Sequence, residues 1–566
     1  MTTGESRPFE NCISAIFNRL EACRSVPQLE ELRDGSSLTA TGGDVLLLVA
    51  QARKHLRDAG VKPGDRCALL AENSIRWVAA NLAIFAEGLI CVPLYPRQAP
   101  QEVAAMLADC EPALLLCSTA GLRDALRGAC ESLPTTQLFD EMFSVVGLAS
   151  ELVDPPMQLS PPDPMTIIYT SGTSGVSKGV LLTVGNVSHM LVCTSSRLDL
   201  LMNGDNRQDR VFHYLPLCFA GSWILLMTSL LRGSLLALNT ALARLAEELP
   251  RSAPDYVLNV PALLERMRRG ADDQMALKGG MALRIYSRAK MAVERRRVNP
   301  KARSSAREGL WLWLANRLVF PTIRKKMLGT RLRALICGSA PLALETQLYF
   351  QMLGVPVLQV YGLTETTAIC TMDDPRQVVP GRVGPVIPGV EMRLGDHKEI
   401  LVRGLNVFAR YWNRPLETAA VLRDGWFHTG DQGEVDAAGN WIVAGRLKNL
   451  VILGSGHNVA PEPIEDLLVQ HIPEALQVLV VGNGRGYLSA IVCGPVSESE
   501  VQVGLDAANS TLPHYKQVRA FHLRPEAFSL DSGLLTANGK LKREAIASRL
   551  QSEIAEMYET RARVVS

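Results

Sequence analysis

The segment Lys62-Pro-Gly-Asp-Arg-Cys-Ala-Leu-Leu70, continued by Ile75 to Glu87 and Leu89 to Val92, decides the fold class. A Pro-Gly-Asp turn feeds the apolar run Cys67 to Leu70, which is strand-length and bounded by turn residues. Ile75 to Glu87 reads as helix and Leu89 to Val92 as a second strand, giving strand, helix, strand. Upstream, Val45, Val49, Ala52 and Leu56 recur at the spacing of one helix face, and Gly60 stands where a C-cap belongs. Ala113 to Cys117 and Thr166 to Tyr169 repeat the strand pattern. A mostly parallel sheet covered by helices, an α/β fold, is the architecture these runs predict.

The chain has 566 residues, more than one ordinary core accommodates, so two to four domains or subdomains are expected. Hydrophobic residues make up 47% and charged residues 20%, which excludes collagen-like and wholly disordered chains. With 59 basic and 57 acidic residues the net charge is +2, so the whole molecule offers no field suited to nucleic acid. Residues 266–333 depart from this balance, with 19 Lys or Arg against 4 Asp or Glu, a local charge of +15. The twelve cysteines are scattered without zinc-ligand spacing and read as reduced, mostly buried thiols. Met1 to Arg19 shows no secretory signal, so the expected location is cytoplasmic. Tyr214 to Leu231 is uncharged for 18 residues, but Pro216, Gly221 and Ser222 interrupt it, and core is the better reading than a membrane span.

Toward the C-terminus, Gln477 to Val481 and Tyr487 to Val492 flank a glycine loop and read as a hairpin within a small α+β unit. The boundary is expected near Gly445 to Asn449, dividing the chain into a large domain, residues 1–446, and a small one, residues 447–566.

The most informative chemistry lies in Thr166-Ile-Ile-Tyr-Thr-Ser-Gly-Thr-Ser-Gly-Val-Ser-Lys-Gly-Val180. After the strand come the hydroxyls of Thr170, Ser171, Thr173, Ser174 and Ser177, the glycines Gly172, Gly175 and Gly179, and one cation, Lys178. Glycines let backbone amides wrap an anion, hydroxyls donate further hydrogen bonds, and lysine neutralises charge, which together suit a polyphosphate. A Ser/Gly surface loop is the alternative from composition alone. It is no Walker A loop, because Lys178 follows Ser177 and precedes Gly179.

Further motifs follow in order: Leu215-Pro-Leu217, Gly338-Ser-Ala-Pro-Leu342, Tyr361-Gly-Leu-Thr-Glu365, Gly425-Trp-Phe-His-Thr-Gly-Asp431, Gly445-Arg-Leu-Lys448, Asn458-Val-Ala-Pro461 with Glu465, and Gly539-Lys540. Together they resemble the adenylate-forming superfamily of acyl-CoA synthetases, luciferases and nonribosomal peptide adenylation domains. Thr322 to Gly329 and the Leu-Leu-Thr lead-in to Lys540 are similar to its long-chain fatty acyl-CoA synthetase branch. The resemblance covers almost the whole chain. It implies a large domain of helix-covered sheets plus a small mobile C-terminal domain, and ATP, Mg²⁺ and CoA as cosubstrates and cofactor.

By this resemblance, Thr170, Ser171, Gly172, Thr173, Ser174, Gly175 and Lys178 hold phosphates. Ser339, Ala340, Pro341 and Tyr361 form the adenine pocket, with Tyr361 able to stack on the base. Thr364 and Glu365 serve phosphate and Mg²⁺, for which a carboxylate is a suitably hard ligand. Asp431 engages the ribose hydroxyls with Arg446 beside it. Lys540 is the catalytic lysine, and Lys448 the hinge about which the small domain turns after acyl-AMP forms. That turn brings Gly454, Ser455 and Gly456 to the thiol acceptor.

Phe219, Trp223 and Gly338 are acyl-site candidates, the two aromatics being equally well explained as core. A fatty acid is the favoured substrate. CoA is the expected acceptor, with carrier-protein pantetheine the nearest rival, and a non-catalytic lipid-binding relative is the rival from another class. Arg295-Arg-Arg297 and the apolar-aromatic run Leu310 to Leu314 suit peripheral contact with an anionic membrane through residues 266–333, as well as a solvated basic helix. The chain departs from the family pattern at Ser177 in place of proline, Ser174 in place of threonine, Phe219 in place of a frequent histidine, and Asn449 in place of a frequent acid.

Overall fold

The computed structural model describes residues 11–33, 35–143, 154–171, 177–298, 305–529, 532–536 and 539–562. Its architectural seed is the strand–helix–strand unit of the opening segment: strand Arg66–Leu70, helix Ile75–Ala86 and strand Ile90–Leu94. Ser74 caps the helix, its hydroxyl accepting from the Trp77 amide at 3.0 Å. Nearly every side chain of that helix is buried, so it sits between layers rather than on a surface. Helix Gly42–Asp58 packs beside it behind a Thr41/Asp44 capping box, turning Val45, Val49, Ala52 and Leu56 inward.

These strands belong to a sheet ordered Arg410–Tyr411, Ser177–Thr183, Pro164–Ser171, Ile90–Leu94, Arg66–Leu70, Leu114–Cys117, Thr136–Leu138. Its centre is parallel, while the Pro164–Ser171 and Ser177–Thr183 pair is an antiparallel hairpin. A second, larger sheet has parallel strands Val357–Tyr361, Ala334–Cys337, Tyr256–Asn259, Arg210–His213, Leu235–Asn239 and Pro27–Arg33, with antiparallel edges. The sequence runs pointed to one parallel sheet. Among the described residues there are two, plus an antiparallel sheet in which Trp426–Val435 pairs with Glu399–Gly404 and Trp441–Arg446.

Of the uncharged Tyr214 to Leu231 run, the part from Ala220 onward forms helix Ala220–Arg232, which packs into the main core. No described helix is long and apolar enough to cross a membrane. All twelve cysteines are free, and ten of them are buried.

Beyond Arg446, the chain builds separate hydrophobic clusters around a three-stranded sheet, Gln477–Val481, Leu488–Cys493 and Val518–Arg524. The expected glycine-loop hairpin is its first pair.

Candidate active site

Of the phosphate-loop candidates, Thr170, Ser171 and Lys178 lie on the paired strands Pro164–Ser171 and Ser177–Thr183. Thr170 pairs with Lys178 and Ser171 with Ser177 across the ladder. Gly172, Thr173, Ser174 and Gly175 lie outside the described residues, as does the Ser171 side chain. Gly179 is required by packing: a Cβ there would stand 2.7 Å from Ile167 Cγ2 and 3.2 Å from Trp412 Cβ. The Lys178 ammonium lies 2.5 Å from the Glu417 carboxylate and 5.3 Å from the centre of the Tyr411 ring.

Tyr411 links this hairpin to the Tyr361-Gly-Leu-Thr-Glu365 turn. Its hydroxyl donates to Oε1 of Glu365 at 2.8 Å, holding the carboxylate with Oε2 uncommitted among the described residues. The turn leaves the end of strand Val357–Tyr361, and Thr364 and Glu365 lie in one turn of 3₁₀ helix. Thr367 and Ala368 then adopt positive φ, an unfavourable geometry for residues with a Cβ that packing enforces here. At Gly362 any Cβ would strike the Ala368 carbonyl oxygen. The half-buried Glu365 suits Mg²⁺, which takes few protein carboxylates and completes its shell from phosphate and water.

Asp431 is the electrostatic centre. It is 4% exposed, accepts from the Tyr361 hydroxyl at 2.8 Å, and pairs with Arg446 Nε at 2.8 Å. Strand pairing places Asp431 directly opposite Arg446. Burial raises the Asp431 pKa above the ordinary carboxylate value, while Arg446, Tyr361 and Lys540 pull it back. Burial works against the Arg446 charge, but Asp431 and then Glu365 raise its pKa, so the guanidinium serves both carboxylates. Tyr361, itself buried and beside Asp431, stays protonated as the donor.

Lys540 reaches this cluster from the tail of the chain. Its side chain keeps solvent exposure, yet the surrounding protein and the nearby Arg446 lower its pKa, with Asp431 opposing. It follows the tip of a tight turn in which the Thr536 amide donates to the Lys540 carbonyl at 2.8 Å. The structure therefore brings Lys178, Glu365, Asp431, Arg446 and Lys540 to one cleft. Ser339, Ala340 and Pro341 form an exposed turn after strand Ala334–Cys337, Ser339 at φ 73°.

The family profile described as AMP-binding enzyme matches residues 21–412, and that described as AMP-binding enzyme C-terminal domain matches residues 448–562. The chain belongs to the AMP-binding enzyme family. It is 27% identical to the long-chain-fatty-acid–CoA ligase FadD15 of Mycobacterium bovis, over 98% of each chain. It is 26% identical to long chain acyl-CoA synthetase 3 of Arabidopsis thaliana, over 98% of this chain and 93% of that one. The fold is similar to that of O-succinylbenzoate coenzyme A synthetase from Bacillus subtilis in complex with AMP. That match has a TM-score of 0.71 and 23% identity, over 94% of this chain and 97% of the other.

The remaining candidates of this family member lie away from the cluster's hydrogen bonds. Phe219 begins helix Ala220–Arg232 with its ring 5.5 Å from that of Tyr95. Trp223 is fully buried, edge-on to Phe85, with its indole N–H directed to Asn81 at 3.4 Å. Gly338 is a close-packing position, where a Cβ would stand 2.6 Å from Val360 Cγ2. Lys448 is exposed in a 3₁₀ turn between strand Trp441–Arg446 and strand Val451–Ile452. Gly454, Ser455 and Gly456 are exposed, and the Gly454 amide donates to the Arg485 carbonyl within the small lobe. Asn449, the departure beside the hinge, donates to Glu462 at 2.6 Å.

Sequence reasoning missed Tyr411 and Glu417, which fix Glu365 and Lys178. Neither lies in a motif, and their signal, Tyr411-Trp-Asn-Arg-Pro-Leu-Glu417, becomes legible only once strand Arg410–Tyr411 is seen to pair with strand Ser177–Thr183.

Proposed function

We propose that this chain is an ATP-dependent, AMP-forming ligase that activates a long-chain fatty acid and transfers it to CoA. The observation that carries the reading is the buried Asp431 paired with Arg446 and Tyr361, each at 2.8 Å, with Lys540 of the small lobe within electrostatic range of Asp431 and Arg446. The near full-length likeness to long-chain fatty acid ligases supports the substrate class.

In the first step a carboxylate oxygen of the acid bonds to the α-phosphorus of ATP as the bond to pyrophosphate breaks. Lys178 and the hydroxyl-bearing loop offset polyphosphate charge, which requires Lys178 to exchange Glu417 for the nucleotide. Asp431 accepts from the ribose hydroxyls, and Tyr361 and Arg446 keep it ionised and oriented. Lys540 adds positive charge where negative charge develops on the α-phosphoryl group. Glu365 would hold Mg²⁺, which supplies charge neutralisation for the phosphates when bound. In the second step the CoA thiolate attacks the acyl carbonyl and AMP leaves. A turn of the small lobe at Lys448 would withdraw Lys540 and present the loop Gly454 to Gly456.

Fatty-acid-dependent exchange of pyrophosphate into ATP tests this reading, and Lys540→Ala should lower it by about two to three decades, the weight of one preorganised charge stabiliser. Full exchange in that variant would remove Lys540 from the chemistry. Mass spectrometry of products from a mixed acid pool, with CoA or holo carrier protein supplied, identifies acid and acceptor.

The basic segment favours contact with an anionic membrane that supplies the acid. Met281, Arg284, Arg288, Met291 and Arg295 recur along one exposed face of helix Gly280–Val298. Helix Ala306–Leu314 and the π-turn after it expose Leu310, Trp313, Arg317 and Leu318. Cations alternating with large apolar side chains match the interfacial layer of a bilayer. The side chains of Arg296 and Arg297 lie outside the described residues. Flotation with anionic vesicles should be lost at high salt and on neutralising Arg284, Arg288 and Arg317; salt-insensitive or absent flotation removes the contact.

A further inference from the structure

We propose that Glu102 and Lys542 form an interlobe latch that positions Lys540 for adenylation and must open before thioester formation. The inference rests on the adenylating role given to Lys540 above. The Lys542 ammonium stands 3.0 Å from Oε1 of Glu102 across 440 residues of sequence. Glu102 lies in the first turn of helix Pro100–Cys110, and Gln98 holds its other oxygen at 2.7 Å. The carboxylate is thus oriented by the large lobe before the small lobe arrives. Although partial burial raises the Glu102 pKa, the bonds from Gln98 and Lys542 bring it below the ordinary glutamate value, so the carboxylate facing Lys542 is ionised at neutral pH.

The small-lobe half is equally well held. Leu535 bridges Leu541, the Lys542 amide donates to the Leu534 carbonyl at 2.9 Å, and the Lys540 amide donates to Thr536 Oγ1 at 3.0 Å. Lys540 and Lys542 are therefore on one short arm of a closed turn. Two residues apart on an extended arm, they project toward the same side. Pinning the Lys542 ammonium to the large lobe sets where the arm, and with it the Lys540 stem, enters the cleft. Because one partner lies in each lobe, rotation at Lys448 separates them, and the pair favours one half-reaction over the other. Glu102 and Lys542 are positioning residues; neither touches Asp431 or Arg446.

The test separates the two half-reactions in the full-length protein. Pyrophosphate exchange reports adenylation, and CoA thioester formation from supplied acyl-adenylate reports the second step. Glu102→Gln and Lys542→Met should each slow exchange about two- to fivefold, the weight of a half-exposed ion pair, and leave the second step unchanged or faster. The charge swap Glu102→Lys with Lys542→Glu should recover most of the lost exchange. Equal loss in both steps, no loss in exchange, or no recovery in the swap overturns the latch. Spin-label pairs, one on each lobe, give a readout that needs no turnover: Glu102→Gln should deplete the lobe separation seen in this pose, and an unchanged distance distribution also overturns it. A latch that holds by this measure in a protein without exchange activity would overturn the assigned reaction and leave the latch standing.

Discussion

Lys540 and Arg446 set the charge of the site between them. In the proposed adenylation step Lys540 acts as an ammonium, and its pKa is lowered by the protein around it and by Arg446. A lysine is charged below its pKa, so the alkaline fall in exchange activity should begin below the ordinary lysine value. Lys540→Arg should lower the rate and abolish that alkaline fall, since a guanidinium keeps its charge; a pH profile of pyrophosphate exchange checks both. The same reasoning applies to stability at His213, fully buried at the end of strand Arg210–His213. Burial pushes its pKa down to about 4 from 6.5. The unfolded chain then takes up the proton first on acidification, so stability is whole above about pH 6.5 and declines toward pH 4. His213→Leu should flatten that slope in denaturant melts at pH 5 and pH 7.5, against a wild-type loss of order 3 kcal/mol across the full window.

At the scale of elements, the site depends on turns whose backbones approach other chain segments. Gly362 packs against the Ala368 carbonyl, and the strained Thr367 and Ala368 close the turn that presents Thr364 and Glu365. Gly362→Ala forces that turn to move, and a cost of about 1–3 kcal/mol is expected for overpacking. Exchange activity should fall at least about tenfold, because the displaced carboxylate loses its bond to Tyr411. Gly60→Ala is the control: φ is positive there, so an alanine is strained, but nothing lies within 4 Å of the added methyl. It should cost about 1–2 kcal/mol of stability and leave exchange per folded molecule unchanged. Paired melts and rates separate strain from disruption of the site. The two glycines also mark what was legible in the sequence. Gly60 announced a helix end through local periodicity alone, whereas the need for Gly362 arises from a segment folding back upon it.

At the scale of the molecule, the same division recurs. Asp431, Arg446 and Lys540 could be nominated because each lies in a distinctive local string, and the structure gathers them in one cleft. Glu417, Tyr411 and Glu102 could not, because each acts on a partner far along the chain, and no local pattern records such a pairing. The antiparallel sheet was hidden for another reason: strand Val390–Leu394 is mostly exposed and lacks the apolar run that revealed the parallel strands. The hinge remains the whole-molecule question. Lys448 lies in a 3₁₀ turn with its side chain exposed, between the last strand of the large lobe and the first of the small one. In the proposed two-step reaction this turn would take up the rotation of the small lobe. Lys448→Pro would fix φ near −65° and stiffen the turn. Since the present pose already holds Lys540 within electrostatic range of Asp431, pyrophosphate exchange should survive within about threefold, well inside a tenfold change in barrier terms. Thioester formation from supplied acyl-adenylate should fall more than about tenfold, because the loop Gly454 to Gly456 no longer swings to the cleft. Equal loss of both steps would place the pivot elsewhere; loss of exchange alone would mean that adenylation, too, needs motion at this turn.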